Sequence, residues 1–243
     1  MKTLPDSQLY FLHDAMTILM AIICLAVVCF ALVIKSSYHK SLISYILIAF
    51  AVAQEIVDYA NRIIFDEKYN FQLSTDLPLQ FCTIGFYFSI FGIYIAVSKK
   101  KFNKKIEQFI FDCAYVLGFS GALQALFTVD LTGVNNMIGI FTLNWAHTLI
   151  IINVLWLIFA YNKKFTLIGA RNAFLFINFV IWPVGLINYL LEANYMFICA
   201  PPNVASSFFI GEWPYYLLWL EVIYFIYILI LYIPFYLYSV IKK

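Results

Sequence analysis

Two polar interruptions of apolar sequence carry the residue types needed for nucleophilic chemistry. Cys82 lies in LPLQFCTIGFY, residues 77–87, and His147 in TLNWAHTLI, residues 142–150. A thiol attacks as its thiolate, and an imidazole within reach is a base that generates one. His147 falls deep inside a run long enough to cross a bilayer, where an ionisable group is costly unless it is paired, hydrated or used. That makes it a functional-site candidate, with a neutral histidine that only ties two helices together as the structural alternative. Cys82 follows Pro78 and Gln80 near a predicted helix N-terminus, where free amides and the helix dipole favour a thiolate. A cysteine that merely packs is the alternative there. The chain has 5 cysteines with no C-x-x-C among them, so neither a zinc site nor a disulfide framework is indicated.

The elements that must position these two residues follow from composition. With 64% hydrophobic and 12% charged residues, the chain falls outside the range of soluble domains. It reads as an all-α polytopic membrane protein, a single seven-helix bundle over residues 1–243, with helices at about 15–34, 42–65, 77–97, 106–127, 138–161, 173–191 and 215–238. The first run is too long for a signal-peptide core and has no small-residue cleavage pattern after it, so it is expected to stay as a helix. Lys35, Lys40, the lysines of 99–105, Lys163, Lys164, Arg171, Lys242 and Lys243 fall in alternate loops or at the end of the chain. The remaining loops carry Asp66, Glu67, Asp76, Asp130, Glu192 and Glu212, with Lys68 their one positive charge. The positive-inside rule then places the N-terminus outside and the C-terminus in the cytoplasm of a cell membrane. One long external loop, 192–214, holds Pro201, Pro202, Gly211 and Pro214, and its aromatic residues suit either a lid or an interfacial anchor.

Oriented this way, the polar intramembrane residues gather in the outer half. Glu55, Asp58 and Arg62 share a face of the second helix, and Gln80 and Cys82 open the third. Gln124 closes the fourth, Asn144 and His147 enter on the fifth, and Asn188 leaves on the sixth. Polar groups from several helices at one depth imply a shared outer cavity. Asp58 and Arg62 also fit a plain i, i+4 ion pair. At 1.5 Å per residue Cys82 sits about 8 Å and His147 about 14 Å below their helix starts, which permits a pair.

The segments LPLQFCTIGFY, GFSGALQALFTVDL (118–131), LNWAHTLIIIN (143–153), INYLLEANYMFICAPP (187–202) and GEWPYYLL (211–218) resemble the YwaF-like bacterial membrane proteins grouped with the transmembrane protein 164 family. The resemblance covers helices three to seven and is carried by the order of the segments. It implies seven helices and, from the animal branch, a cysteine and histidine acyltransferase that moves a fatty acyl chain between glycerophospholipids. Carried over, the third-helix cysteine is Cys82 and the fifth-helix histidine His147. The chain departs from the bacterial pattern at Gln80, where many members carry histidine, and at Val129, where many carry proline. On this reading Cys82 takes the acyl chain as a thioester and His147 moves the protons, with phospholipid or lysophospholipid as substrate. Gln80, Gln124 or Asn144 would donate to the oxyanion, and Glu55 or Asp58 would orient the imidazole. No cofactor, metal or nucleic acid is expected. The alternative from another class is a transporter or solute-binding protein whose path is lined by Glu55, Asp58, Arg62 and His147.

Overall fold

The structure, a computed structural model, describes residues 4–67, 69–202 and 208–242. Lys68, Lys243 and residues 203–207 of the long loop lie outside the described residues. All regular structure among the described residues is helical: α1 Asp6–Val33, α2 Ser37–Ala60, α3 Phe81–Val97, α4 Lys104–Phe127, α5 Met137–Phe159, α6 Leu167–Leu191 and α7 Tyr215–Ile241. A π-helical turn, Asn61–Phe65, prolongs α2, and a short 3-10 turn, Tyr195–Phe197, follows α6. Six of these helices are long and apolar enough to cross a membrane, and α3, at 17 residues, is shorter.

Local chemistry sets the helix starts. Ser36, Asn103, Asn136 and Thr166 each accept a first-turn backbone N–H with the side chain, satisfying donors that have no partner within the helix. Thr166 starts α6 at Leu167 rather than 173, because Arg171 and Asn172 lie within a capped helix. The first helix begins at Asp6 rather than 15. Pro5, with φ −69°, accepts the amides of Gln8 and Leu9, and the polar head winds on as helix. The third begins at Phe81 rather than 77, since the residues around Pro78 form a bend in which the Leu79 amide bonds the Leu77 carbonyl.

Helices α4 and α5 form the centre of the bundle, whereas α1, α6 and α7 keep much of their apolar surface outward. Within a bilayer, apolar burial adds little between helices, so close packing at small residues carries association. Glycines make that contact here. A Cβ on Gly85 of α3 would stand 2.8 Å from the amide nitrogen of Gly118 on α4, and one on Gly118 would stand 2.7 Å from Cγ2 of Ile150 on α5. At the Lys40 end of the bundle, the Trp156 indole donates to Ser44 at 2.8 Å and the Lys40 ammonium donates to the Ala160 carbonyl at 2.8 Å, fastening α2 to α5. Midway, Asn153 donates to Ser89 at 3.1 Å and joins α5 to α3. The centre is thus fixed to within a side chain's width.

Candidate active site

Cys82 is the second residue of α3, and its placement depends on α4. A Cβ on Gly121 would lie 2.8 Å from the Cys82 amide nitrogen and 3.0 Å from its Cβ, so only glycine lets the first turn of α3 rest there. Phe81, one residue earlier, stacks on Tyr224 of α7 with ring centroids 6.1 Å apart. The first helical hydrogen bond of α3 runs from the Ile84 amide to the Gln80 carbonyl, leaving the amides of Phe81, Cys82 and Thr83 ahead of the ladder.

His147 belongs to α5, which Gly118 admits against α4 through Ile150. Its Nδ1 lies 2.7 Å from the Leu143 carbonyl one turn earlier. A carbonyl only accepts, so Nδ1 carries the proton, and in the neutral ring Nε2 keeps the lone pair. The imidazole and the Cys82 thiol are within hydrogen-bonding reach of each other. Both side chains are half-buried. The imidazole of His147 is the titratable neighbour of that sulfur. A thiol with a base beside it can form a thiolate and direct it at an electrophile.

The other candidates fall into separate hydrogen-bonded groups. Asp58 accepts from Thr142 at 2.7 Å and pairs with Arg62 at 2.9 Å, while Arg62 also reaches Asp76 at 3.4 Å. Glu55, half-buried, feels the charges of Asp58 and Arg62. Because Leu143 holds one nitrogen of His147 and Cys82 faces the ring, the imidazole is oriented by a backbone carbonyl and not by Glu55 or Asp58. Asn144 is buried, its amide nitrogen 3.0 Å from both the Ile140 carbonyl and Nδ1 of His13, so its donors are committed away from Cys82. The oxygen of Gln80 accepts from the Met196 amide at 2.9 Å, which binds the loop after α6 to the start of α3. Asn188 grips the same loop, accepting from the Tyr195 amide at 2.8 Å and donating to its carbonyl at 2.9 Å. Gln124 is exposed at the end of α4. Two surface cavities lie elsewhere, one of about 330 Å³ between Asp6 and Asn135, the other of about 650 Å³ beside Asn188 and Cys199.

Sequence reasoning missed two residues. His13 is 1% exposed and bonds Asn144 and, through Nε2 at 3.1 Å, the Leu126 carbonyl, joining α1, α5 and α4. Tyr195 donates to the Leu73 carbonyl and accepts from the Leu77 amide, each at 2.8 Å, holding the approach to α3.

A family model described as the TMEM164 family matches residues 8–232. The chain belongs to the TMEM164 family. No curated protein matches it, and no solved structure does. The matched span runs from α1 into α7 and takes in both Cys82 and His147. Family membership and the six long apolar helices together make this TMEM164-family chain a multi-pass membrane protein.

Proposed function

We propose that the chain is a lipid acyltransferase that moves a fatty acyl chain between glycerophospholipids through a thioester on Cys82. The observation that carries this reading is the Cys82 thiol beside a histidine whose far nitrogen is fixed by the Leu143 carbonyl, both residues partly buried in a membrane bundle. An acyl ester dissolved in the bilayer is the electrophile such a site meets. We read all seven helices as crossings of a bacterial cell membrane, α3 included, with the N-terminus outside. On that topology the pair lies in the outer half.

The steps follow from the geometry. Nε2 of His147 takes the thiol proton, and the sulfur adds to the ester carbonyl carbon. The oxyanion formed is met by the amides of the first turn of α3, which precede the helical ladder. As the tetrahedral adduct collapses, the C–O bond breaks and the departing alkoxide takes the proton from His147, leaving a lysolipid and an acyl-cysteine. A second lysolipid hydroxyl gives its proton to His147, attacks the thioester and leaves as phospholipid, while the thiol regains its proton. Ester, thioester and ester lie close in energy, so each turnover is closed without an external energy source.

Trapping the intermediate tests this. Purified protein in lipid containing a phospholipid with a labelled acyl chain is expected to carry label at Cys82, removable by hydroxylamine and absent in Cys82→Ala. Label that resists hydroxylamine, or persists in Cys82→Ala, contradicts it.

A further inference from the structure

Between α3 and α4 the chain reads KKKFNKK, residues 99–105, which holds Lys99, Lys100, Lys101, Lys104 and Lys105 and no acid. All these lysines are exposed, and none forms an ion pair among the described residues. Other basic residues at this end of the bundle are committed within the fold. Lys40 donates to the Ala160 carbonyl at 2.8 Å and Lys163 pairs with Glu107 at 3.4 Å. Lys164 stands over the Tyr238 ring, and Lys242 donates to the Tyr238 hydroxyl at 2.8 Å. Helix formation does not account for the lysine run either, because Lys104 and Lys105 open α4, where the helix dipole disfavours cations.

The turn is held in one shape. Phe102 packs its ring on Phe91 and Tyr94 of α3, with centroids 6.3 and 6.2 Å apart, and both of those residues are exposed on the outside of the bundle. The chain therefore folds back along the outer face of α3 instead of extending away from it. Ser98 accepts the Lys100 amide at 3.1 Å and Asn103 accepts the Lys105 amide at 2.9 Å, fixing the turn on both sides of Phe102. Because α4 is among the helices able to cross a membrane, its first residues stand at the membrane boundary. We infer that residues 99–105 are a docking surface for anionic phospholipid headgroups, with the lysine ammonium groups meeting their phosphates. Lysines beside an anionic membrane surface each add to binding, and a turn already fixed loses little freedom when it binds. The inference uses the membrane fold alone and does not depend on acyl transfer.

The test is native mass spectrometry of the full chain in detergent, supplied with equal amounts of phosphatidylglycerol and phosphatidylcholine of the same acyl chains. Native protein is compared with a variant carrying glutamine at all the lysines of 99–105 and with one carrying arginine there, each first shown to be folded by its thermal transition. Native protein is expected to retain phosphatidylglycerol about tenfold over phosphatidylcholine at low salt, with the preference shrinking as salt screens the charges. The glutamine variant should retain the two lipids alike, and the arginine variant should keep the native ratio. Should the glutamine variant not fold, Lys99→Gln, Lys100→Gln and Lys101→Gln together leave the first turn of α4 untouched and are held to a lowered ratio. Equal retention by native protein, or a native ratio in the folded glutamine variant, overturns the inference. So does displacement of the retained lipid by a short single-stranded nucleic acid, which would assign the surface to a soluble polyanion.

Discussion

Gly121 of α4 and Cys82 of α3 approach so closely that a methyl group on the glycine would lie 2.8 Å from the cysteine's backbone nitrogen. Cys82 is therefore placed by a backbone contact, and its distance from His147 is set by how three helices meet at Gly85, Gly118 and Gly121.

Substituting Gly121→Ala is expected to force α3 off α4. Overpacking of this kind costs about 1–3 kcal/mol, and a shift of the reacting groups by about 1 Å lowers a rate by about a hundredfold. Gly185→Ala is the control, since nothing lies within 4 Å of a Cβ there. Thermal transitions in detergent should fall for Gly121→Ala and hold for Gly185→Ala, with acyl exchange lost in the first alone.

His13→Leu removes the partner of both the Asn144 amide and the Leu126 carbonyl in a buried setting. Each unsatisfied group costs about 1–3 kcal/mol. His13 bonds neither Cys82 nor His147, so the variant should unfold at a lower temperature while its folded fraction keeps the native rate of acyl exchange. Loss of exchange at native stability would give His13 a part in the chemistry.

Asp58→Asn separates an ion-pair role from a catalytic one. Arg62 is 44% exposed, and a pair of that kind contributes less than about 1 kcal/mol. Asparagine still offers an oxygen to Thr142. Acyl exchange is expected to stay within about twofold of native, whereas a collapse of the rate would return Asp58 to the site.

Burial pushes the Tyr195 phenol above its ordinary range. The neutral phenol donates to Leu73, so its contribution to stability is complete below about pH 10, the ordinary tyrosine value, and is lost as pH climbs past it. Proteolysis of the loop after α6 should rise above that pH in native protein. In Tyr195→Phe the loop should be more open at neutral pH, and its added opening at high pH should disappear. Asn188→Ala, which deletes two bonds to the Tyr195 backbone, should open it at every pH.

Much of the bundle was readable because bilayer thickness demands about twenty apolar residues per crossing, and seven such runs stand out in the sequence. Their ends were less readable. The polar residues Asp6, Gln8, His13 and Asp14 look like a head outside the membrane, yet a helix begun at Pro5 carries them on and buries His13. Cys82 and His147 were visible as residue types at comparable depth. The reasons they meet were not, since the three glycines have no signature apart from the helices they touch. Asn144 and Asn188 were visible as polar but not as structural, because their partners His13 and Tyr195 sit on other elements. The carbonyl that orients His147 belongs to the backbone, which no side-chain pattern reveals.

The central claim is tested most directly by acyl exchange with purified protein in defined lipid, supplying a phospholipid labelled in its acyl chain and an unlabelled lysophospholipid. The account predicts transfer of label to the lysophospholipid by native protein, and transfer at background in folded Cys82→Ala, Cys82→Ser and His147→Ala. Transfer that survives in Cys82→Ala or Cys82→Ser would contradict it. So would native protein at background across several lipid classes, which would turn attention to transport through Glu55 and Asp58.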